Sequence, residues 1–449
     1  MSSFLKKLLP ETHPIRLLYH KLVAVMAALY YMFPAKKMVV IGVTGTKGKT
    51  STVNLIAQML TVAGKKVGMT STVRFQIGDK QWSNINKITT LGPFALQKLI
   101  KQMKDEGCTH LVLEVSSHAM LQSRVWGINF DVGVFTNIAN EHLEYHGSFE
   151  EYLRAKGLFF KHISKSRNKP GISKVAILNQ DDPHFAYFDQ FNVDRKMTYG
   201  LNKGTLHSSE ISLNPSGSSF TMHLPNHQVD LSIKLPGEAS VYNVLAASAV
   251  SVTLGVSVET IKKAVEMVQP IPGRFEAMDL GQPYTVIVDY AHEELSLDKL
   301  LELYKRITKG KLIVMFGATG GGRDKAKRPR MGALAEKYAD YIILTDDDPY
   351  EEDEWEILDM IKQGIKRKEG DNLWLVPDRR EAIKLALTVA KEGDAVILAG
   401  KGGEEVQVLR GKTIAWDDRV VVKELLKQEI RVEISPGNYE KRENVYFQG

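Results

Sequence analysis

The chain has 449 residues, 43% apolar and 25% charged, with a formal net charge of +6. That is the balance of a globular protein of about two to four domains, with a mild attraction for polyanions such as nucleotides. The single cysteine, Cys108, excludes an internal disulfide framework and a cysteine-rich zinc site, and fits a cytoplasmic enzyme. No dense Lys/Arg block with interleaved aromatics is present, so no nucleic-acid partner is expected.

No secretory signal is evident. The run from Ile15 to Phe33 is apolar but interrupted by Arg16, His20 and Lys21, and is too short to cross a bilayer. It reads as a helix ending at Pro34, inside an N-terminal helical segment over 1–37. A buried or docking role is expected and membrane contact is not. A helix lying on a membrane surface is the alternative.

Met38–Val43 reads as a short buried strand and Ser51–Leu60 as an amphipathic helix. Between them stands Gly45-Thr46-Lys47-Gly48-Lys49-Thr50. Strand, glycine turn and helix start form a phosphate cradle, because backbone N–H groups and the positive helix end converge there. Lys49 can reach terminal phosphates, and the Thr50 hydroxyl can ligate Mg²⁺. The general pattern has glycine where this chain has Val43, so the loop is a compact variant.

Further strands are expected at Lys66–Thr72, His110–Val115, Asp131–Asn137 and Val175–Asn179, with helices at Phe94–Met103 and Phe149–His162. This alternation predicts a mostly parallel sheet in a P-loop α/β domain, with ligands outside the carboxyl ends of the strands. Glu114 ends one strand and is either a capping carboxylate for Ser116 or Ser117 or, with Thr50, part of a Mg²⁺ site. The run Thr136–Gly147 carries two histidines and two glutamates, a metal site or a chance spacing. Lys156 lies on a helix, either in solvent or, beside apolar Ala155 and Leu158, turned into the site.

Residues 204–236 lose the βα rhythm, and Ser219–Leu224 alternates, which suggests an antiparallel appendage. The helix Val241–Leu254 closes this domain, expected over 38–271. A smaller Rossmann-like domain is expected over 272–435, with strands at Tyr284–Asp289, Leu312–Gly317, Tyr341–Thr345 and Ala395–Gly400. It carries a charged glycine loop, Gly320–Lys325, and an acidic run, Asp346–Asp353. That run is a solvated loop or a socket for an ammonium group. The tail over 436–449 ends in Glu443–Gly449, which looks like a tag remnant and is set aside.

Taken together, Gly45–Thr50, Glu114–His118, Thr136–Gly147, Lys156, Gly273–Glu276, Asp289–Glu294, Gly321–Pro329, Asp347–Tyr350 and Gly400–Glu404 resemble the ordered motifs of the Mur ligases. These are ATP-dependent amino-acid ligases of cell-wall peptide assembly, and the tripeptide-synthetase branch, UDP-N-acetylmuramoyl-tripeptide synthetase, is the nearest match. The resemblance implies that an acceptor carboxylate attacks ATP to give an acyl phosphate, which an amino acid's amine then displaces. It implies ATP contacts from Gly45, Thr46, Lys47, Gly48, Lys49, Thr50, Ser51, Asn243, Arg274, Asp289 and His292. Thr50, Glu114, His142 and Lys156 would serve Mg²⁺, with Lys156 carrying CO₂ as a carbamate, and Lys49, Glu114, His142 and Lys156 would be catalytic. Thr89, Thr90, Ser116, Ser117 and Arg124 would touch a peptide or UDP-peptide acceptor. Asp347, Asp348, Tyr350, Gly400 and Glu404 would serve the amino acid. Domain closure about residues 270–273 is implied as well.

The departures bear on substrate. Only 44 residues precede the loop, against a UDP-binding domain in the family. Tyr350 stands where the family has an arginine that reads a diaminopimelate carboxylate, Asp348 where it has asparagine, and Gly403 where it has histidine. Losing a cation and gaining carboxylates leans towards a basic amino acid such as lysine or ornithine. Peptide extension on a non-UDP acceptor, of the cyanophycin or polyglutamate type, is the alternative. An inactive nucleotide-binding partner protein is a third reading.

Overall fold

The strand–helix alternation of the sequence becomes two parallel-centred sheets in the computed structural model, which describes residues 13–84, 88–139, 147–270, 272–322 and 324–433. The chain divides into two units, one of residues 1–213 and 217–268, the other of residues 214–216 and 269–449.

In the first unit β1 is Val39–Thr44, β2 Val67–Thr70, β3 Arg74–Ile77, β4 Lys80–Ser83, β5 His110–Glu114, β6 Val132–Phe135, β7 Val175–Asn179 and β8 Arg195–Tyr199. The sheet order is β4-β3-β2-β5-β1-β6-β7-β8. The strands from β2 to β8 in that order pair in parallel, with β1 between β5 and β6. β1, β2, β5, β6 and β7 are apolar and almost wholly buried, as strands covered on both faces must be. The hairpin β3–β4 pairs antiparallel at the edge. It was not expected, because β4 is wholly exposed and β3 half-exposed, so neither carries an apolar run.

Helices cover both faces. Lys49–Val62, Glu238–Thr253 and Val258–Glu266 pack one face around Ile41, Val43, Ile56 and Leu245. The expected appendage is a sheet of β9 His207–Asn214, β10 Gly217–Leu224 and β11 His227–Ile233, which adds Phe220 and Leu231 to the same core. Pro93–Asp105 and Phe149–Lys165 pack the other face around Val40, Phe130, Phe159 and Phe160. Burying each such phenylalanine contributes about 1.5–3 kcal/mol, which fixes the rotation of the helix that carries Lys156. At the amino end of β6, buried Asp131 accepts from Val40 N–H and pairs with Lys169 at 2.6 Å and Lys174 at 3.2 Å. Those groups satisfy one another, and the polar groups at the opposite rim are those of the candidate site.

In the second unit β12 is Glu276–Ala277, β13 Thr285–Asp289, β14 Leu312–Phe316, β15 Tyr341–Leu344, β16 Leu373–Leu375 and β17 Ala395–Ala399, in the order β12-β13-β17-β14-β15-β16. All neighbours pair in parallel except β12 with β13. A hairpin of β18 Val406–Leu409 and β19 Lys412–Ala415 follows. A buried Arg379–Asp418 pair, 2.7 Å at its closest, ties the first turn of helix Arg379–Val389 to the start of helix Asp418–Glu433. Arg379 also donates to the carbonyls of Asp346 and Ala399, and such charge-assisted bonds offset its burial.

Candidate active site

The loop after β1 is held by the exit of β6. Asn137 O accepts from Thr46 N–H at 2.8 Å. The Asn137 side chain accepts from Lys47 N–H at 2.9 Å and donates to Lys47 O at 3.1 Å. Thr136 Oγ1 donates to Lys47 O at 2.7 Å. Gly45 sits at φ 151°, and a Cβ built there would lie 1.9 Å from Thr136 Oγ1, so only glycine lets the two segments touch. Gly48, at φ 79°, turns the chain into helix Lys49–Val62, whose first turn holds no acidic residue. The first N–H groups of a helix have no intrahelical partner and carry partial positive charge, so an anion is welcome at this end. Asn243, on helix Glu238–Thr253, reaches the same turn: its Oδ1 accepts from Thr52 and lies 2.5 Å from where a Gly48 Cβ would be.

Lys49 Nζ donates to Thr46 O at 2.8 Å, which folds its side chain back over the loop. Thr50 Oγ1 donates to both oxygens of Glu114, at 3.1 and 3.0 Å. Glu114 is 2% exposed at the end of β5, and its Oε2 also accepts from Thr72 N–H and Thr72 Oγ1. Three donors thus offset the burial of one carboxylate. Thr72 was not expected from sequence; a threonine after a strand carries no signal of its own. Its hydroxyl also lies 3.1 Å from that of Thr89. The Thr50 hydroxyl and the Glu114 carboxylate, both hard oxygen donors beside the phosphate cradle, fit Mg²⁺.

Lys156 is turned inward. It is 1% exposed, its Nζ donates to Gly45 O at 2.6 Å, and it lies 4.4 Å from the centre of the Tyr152 ring. Tyr152 OH in turn lies 3.1 Å from Thr46 Oγ1. Of the two readings of this lysine, burial excludes the solvated one. His142, with Asn140–His146, lies outside the described residues. Among the described residues no group of three or more His, Cys, Asp or Glu side chains could hold a metal.

The residues expected on the acceptor side also gather at this rim. Thr90 Oγ1 donates to Glu114 O at 2.9 Å and accepts from Ser116 N–H at 3.2 Å. Arg124 donates to Thr90 O at 2.7 Å and to Gln122. Ser116 caps helix Ser117–Leu121 through Ala119 N–H, and Ser117 is buried. Glu114 therefore does not cap Ser116 or Ser117; its side chain serves Thr50 and Thr72.

In the second unit, Gly273 at φ 68° lies against the Gly402–Gly403 backbone, with a built Cβ 1.8 Å from Gly403 N. Asp289 accepts from Phe275 N–H at 2.7 Å and Ala291 N–H at 2.9 Å, and burial pushes its carboxyl up. The Arg274 guanidinium lies 4.8 Å from the centre of the Tyr290 ring, and His292 packs edge-on against that ring. Burial and Glu404 push the Tyr290 phenol up to about 12. Arg274, Asp289, His292 and Glu404 thus share one neighbourhood around a tyrosine that the sequence reading passed over.

The acidic run is not a solvated loop. Asp347 is 3% exposed and accepts from Thr319 Oγ1 at 3.0 Å. Asp348 pairs with buried Lys401 at 2.9 Å and accepts from Val408 N–H. Lys401 pairs equally with Glu404, also at 2.9 Å. Burial pulls the Lys401 ammonium down, but these carboxylates outweigh it and hold it above the ordinary lysine range. Glu352 is held at about 2, chiefly by Arg328 and Lys325, and Asp353 caps helix Glu354–Lys362. The negative charge gained at Asp348 is therefore already matched. Tyr350 stands at φ 54° with its ring against Gly321, and Gly400 N–H donates to Asp289 O.

Two family descriptions match: the Mur ligase middle domain over residues 43–251 and the Mur ligase glutamate ligase domain over 273–402. The chain is 41% identical over 406 residues to the UDP-N-acetylmuramoyl-L-alanyl-D-glutamate–2,6-diaminopimelate ligase of Geobacillus thermodenitrificans, covering 90% of this chain and 82% of that one. The enzyme of the same name from Geobacillus kaustophilus matches with the same identity and coverage. A solved structure of a ligase of that name superposes with a TM-score of 0.72 at 29% identity, covering 92% of this chain and 82% of that one.

Proposed function

The chain belongs to the Mur ligase family, and from that premise we propose that it adds an amino acid to the peptide of a UDP-linked cell-wall precursor. As a member it is an ATP-dependent ligase that forms an amide bond. One observation carries the residue assignment: Thr50, Glu114 and Lys156 converge on the loop that begins at Gly45.

In this reading the helix start at Gly48–Ser51 and Lys49 cradle the ATP phosphates, with Asn243 beside the turn. The acceptor carboxylate attacks the γ-phosphorus, the bond to the β-phosphate oxygen breaks, and ADP leaves. The amine then attacks the acyl carbon, the carbon–oxygen bond to phosphate breaks, and the amine gives up a proton as phosphate departs. The protein's contribution is to position the partners and to neutralise developing charge. Thr50 and Glu114 would hold Mg²⁺, which supplies Lewis acidity at the phosphoryl oxygens. His142 is assigned to the metal side by its motif. Lys156 is assigned a carbamate, which would turn a buried ammonium into an anionic oxygen donor beside the loop. Thr89, Thr90, Ser116, Ser117 and Arg124 are assigned to the acceptor, and Arg274, Asp289 and His292 to ATP.

For the amino acid, the relatives are named for diaminopimelate. Tyr350 offers no cation for a second carboxylate, which supports an amino acid without one; lysine and ornithine head that class. Asp347, Asp348, Gly400 and Glu404 would shape its site, Asp348 and Glu404 through Lys401. The test is phosphate release from ATP over a matrix of acceptors and amino acids, with product masses. Amino-acid-dependent release with UDP-muramoyl dipeptide is expected. Release with a free peptide or polyglutamate and none with the UDP-linked acceptor overturns the acceptor assignment. ATP binding without turnover on any acceptor overturns the enzyme assignment.

A further inference from the structure

Helix Pro14–Tyr30 is apolar nearly all round, yet the structure turns it the unusual way. Its buried positions are the small Ala24, Ala27 and Ala28, while the large residues face out: Ile15 is 62% exposed, Leu18 58%, Leu22 55%, Met26 54% and Leu29 58%. At 100° per residue these large residues fall on one stripe opposite the alanines. Tyr30 and Met32 continue it at 74% exposure each. Alanines inward let the helix lie close on helix Pro93–Asp105, so its anchorage does not need the outward stripe.

The segment that carries the stripe is basic. No Asp or Glu occurs between Glu11 and Asp79, whereas Lys21 on the helix and Lys36 and Lys37 just after it are exposed. The supporting helix adds exposed Lys98 and Lys104; its Asp105 is paired with Lys101, and Glu106 at its C-cap is exposed. A helix of this length is about 25 Å long. A continuous apolar ridge of that length, flanked by cations and edged by tyrosine, suits the boundary between headgroups and acyl chains. Among the described residues no helix is long and apolar enough to cross a membrane, so contact would be lateral.

We propose that the outward face of helix Pro14–Tyr30 binds the surface of a bilayer carrying anionic phospholipid. Apolar burial of Leu18, Leu22 and Met26 supplies depth, and Lys21, Lys36 and Lys37 supply selectivity for negative headgroups. The helix holds no residue assigned to the reaction.

The test is co-sedimentation of the full chain with phosphatidylcholine vesicles, with and without about one-fifth phosphatidylglycerol. At least a ~10-fold preference for the anionic vesicles is expected, falling steeply when salt screens the charge. Leu18→Ser with Leu22→Ser should lower binding ~10-fold with an unchanged melting temperature. If that pair fails to fold, Lys36→Gln with Lys37→Gln, on exposed positions, should lower binding to the anionic vesicles and leave the neutral background unchanged. Absence of anionic-vesicle binding overturns the proposal, as does binding indifferent to both variants. A dimer in light scattering that the serine variant dissolves overturns it too, by giving the stripe to a second copy.

Discussion

Asn137 grips the main chain of Lys47 from both sides, accepting from its N–H at 2.9 Å and donating to its carbonyl at 3.1 Å. The first half of the phosphate loop is thereby fixed to the end of β6, and the anion is left to the helix start. Asn137→Ala removes two bonds of about 0.5–1.5 kcal/mol each, so the dissociation constant for ATP should rise ~10-fold. Thr136→Val, which removes the third bond to the Lys47 main chain, should weaken ATP in the same direction, and Thr136→Ser should restore it. Calorimetric titration with a non-hydrolysable ATP analogue checks this. An unchanged constant in Asn137→Ala refutes the clamp.

Glu114, whose carboxylate accepts from three donors, is the residue proposed to share Mg²⁺ with Thr50. Glu114→Gln keeps the shape, removes the charge, and can set an N–H against the donors of Thr50 and Thr72. A Mg²⁺ site that loses its anionic ligand should need a higher metal concentration. Half-saturation in Mg²⁺ should rise, and turnover at saturating ATP should fall ~100-fold, about 2.7 kcal/mol of barrier. A Mg²⁺ titration of phosphate release that superposes on that of the parent would remove Glu114 from the metal site.

The parallel sheets were legible because β1, β5, β6, β13, β14 and β17 are short unbroken apolar runs bounded by polar residues. The hairpin β3–β4 was not, because its pairing rests on backbone bonds between a half-exposed strand and a wholly exposed one with mixed side chains. In the site, Gly45–Thr50 and Glu114 announce themselves by residue type at a strand end. The inward turn of Lys156 does not, because it depends on Phe159 and Phe160 seating the same helix. The Lys401–Asp348 pair was hidden by the 53 positions between its members. A run of carboxylates looks like free negative charge until the distant lysine is seen beneath it.

Lys156→Ala should abolish most turnover while leaving ATP bound, since the loop keeps its Asn137 clamp. The carbamate assignment requires more. The neutral amine forms a nitrogen–carbon bond to CO₂ and loses a proton, so a small carboxylate added to the alanine variant can stand in for the missing oxygens. Acetate or formate at tens of millimolar should restore part of the rate. Full activity without additive sinks the role of Lys156, and loss of activity without rescue sinks the carbamate.

Tyr350 is the position at which amino-acid choice should be most changeable. Its φ of 54° comes with the turn after Pro349, so a guanidinium placed there would project from the same strained position. Tyr350→Arg should raise the preference for diaminopimelate over lysine ~10-fold, by supplying a bidentate partner for the second carboxylate. Asp348→Asn leaves Lys401 with Glu404 alone, and should lower stability before it changes selectivity. Competition assays read by product mass decide both. An unaltered product ratio in Tyr350→Arg would place the side-chain pocket elsewhere.

Asp346 gives the second unit a pH dependence of definite sign. Burial, with Glu354 and Asp378 nearby, pushes its carboxyl up to about 7, although Arg379 pulls the other way. The folded chain therefore holds this proton more tightly than the unfolded chain, whose carboxyl titrates near 4. Stability from this group is present in full below about pH 4 and is lost as pH rises through about 7, the reverse of an ordinary ion-paired aspartate. Asp346→Asn is uncharged at every pH and keeps the volume. It should raise the melting temperature at about pH 8 and change it little near pH 4. Thermal unfolding of both proteins at the two pH values measures the difference, and a shift of equal size at both would show that the aspartate's charge is not what the fold resists.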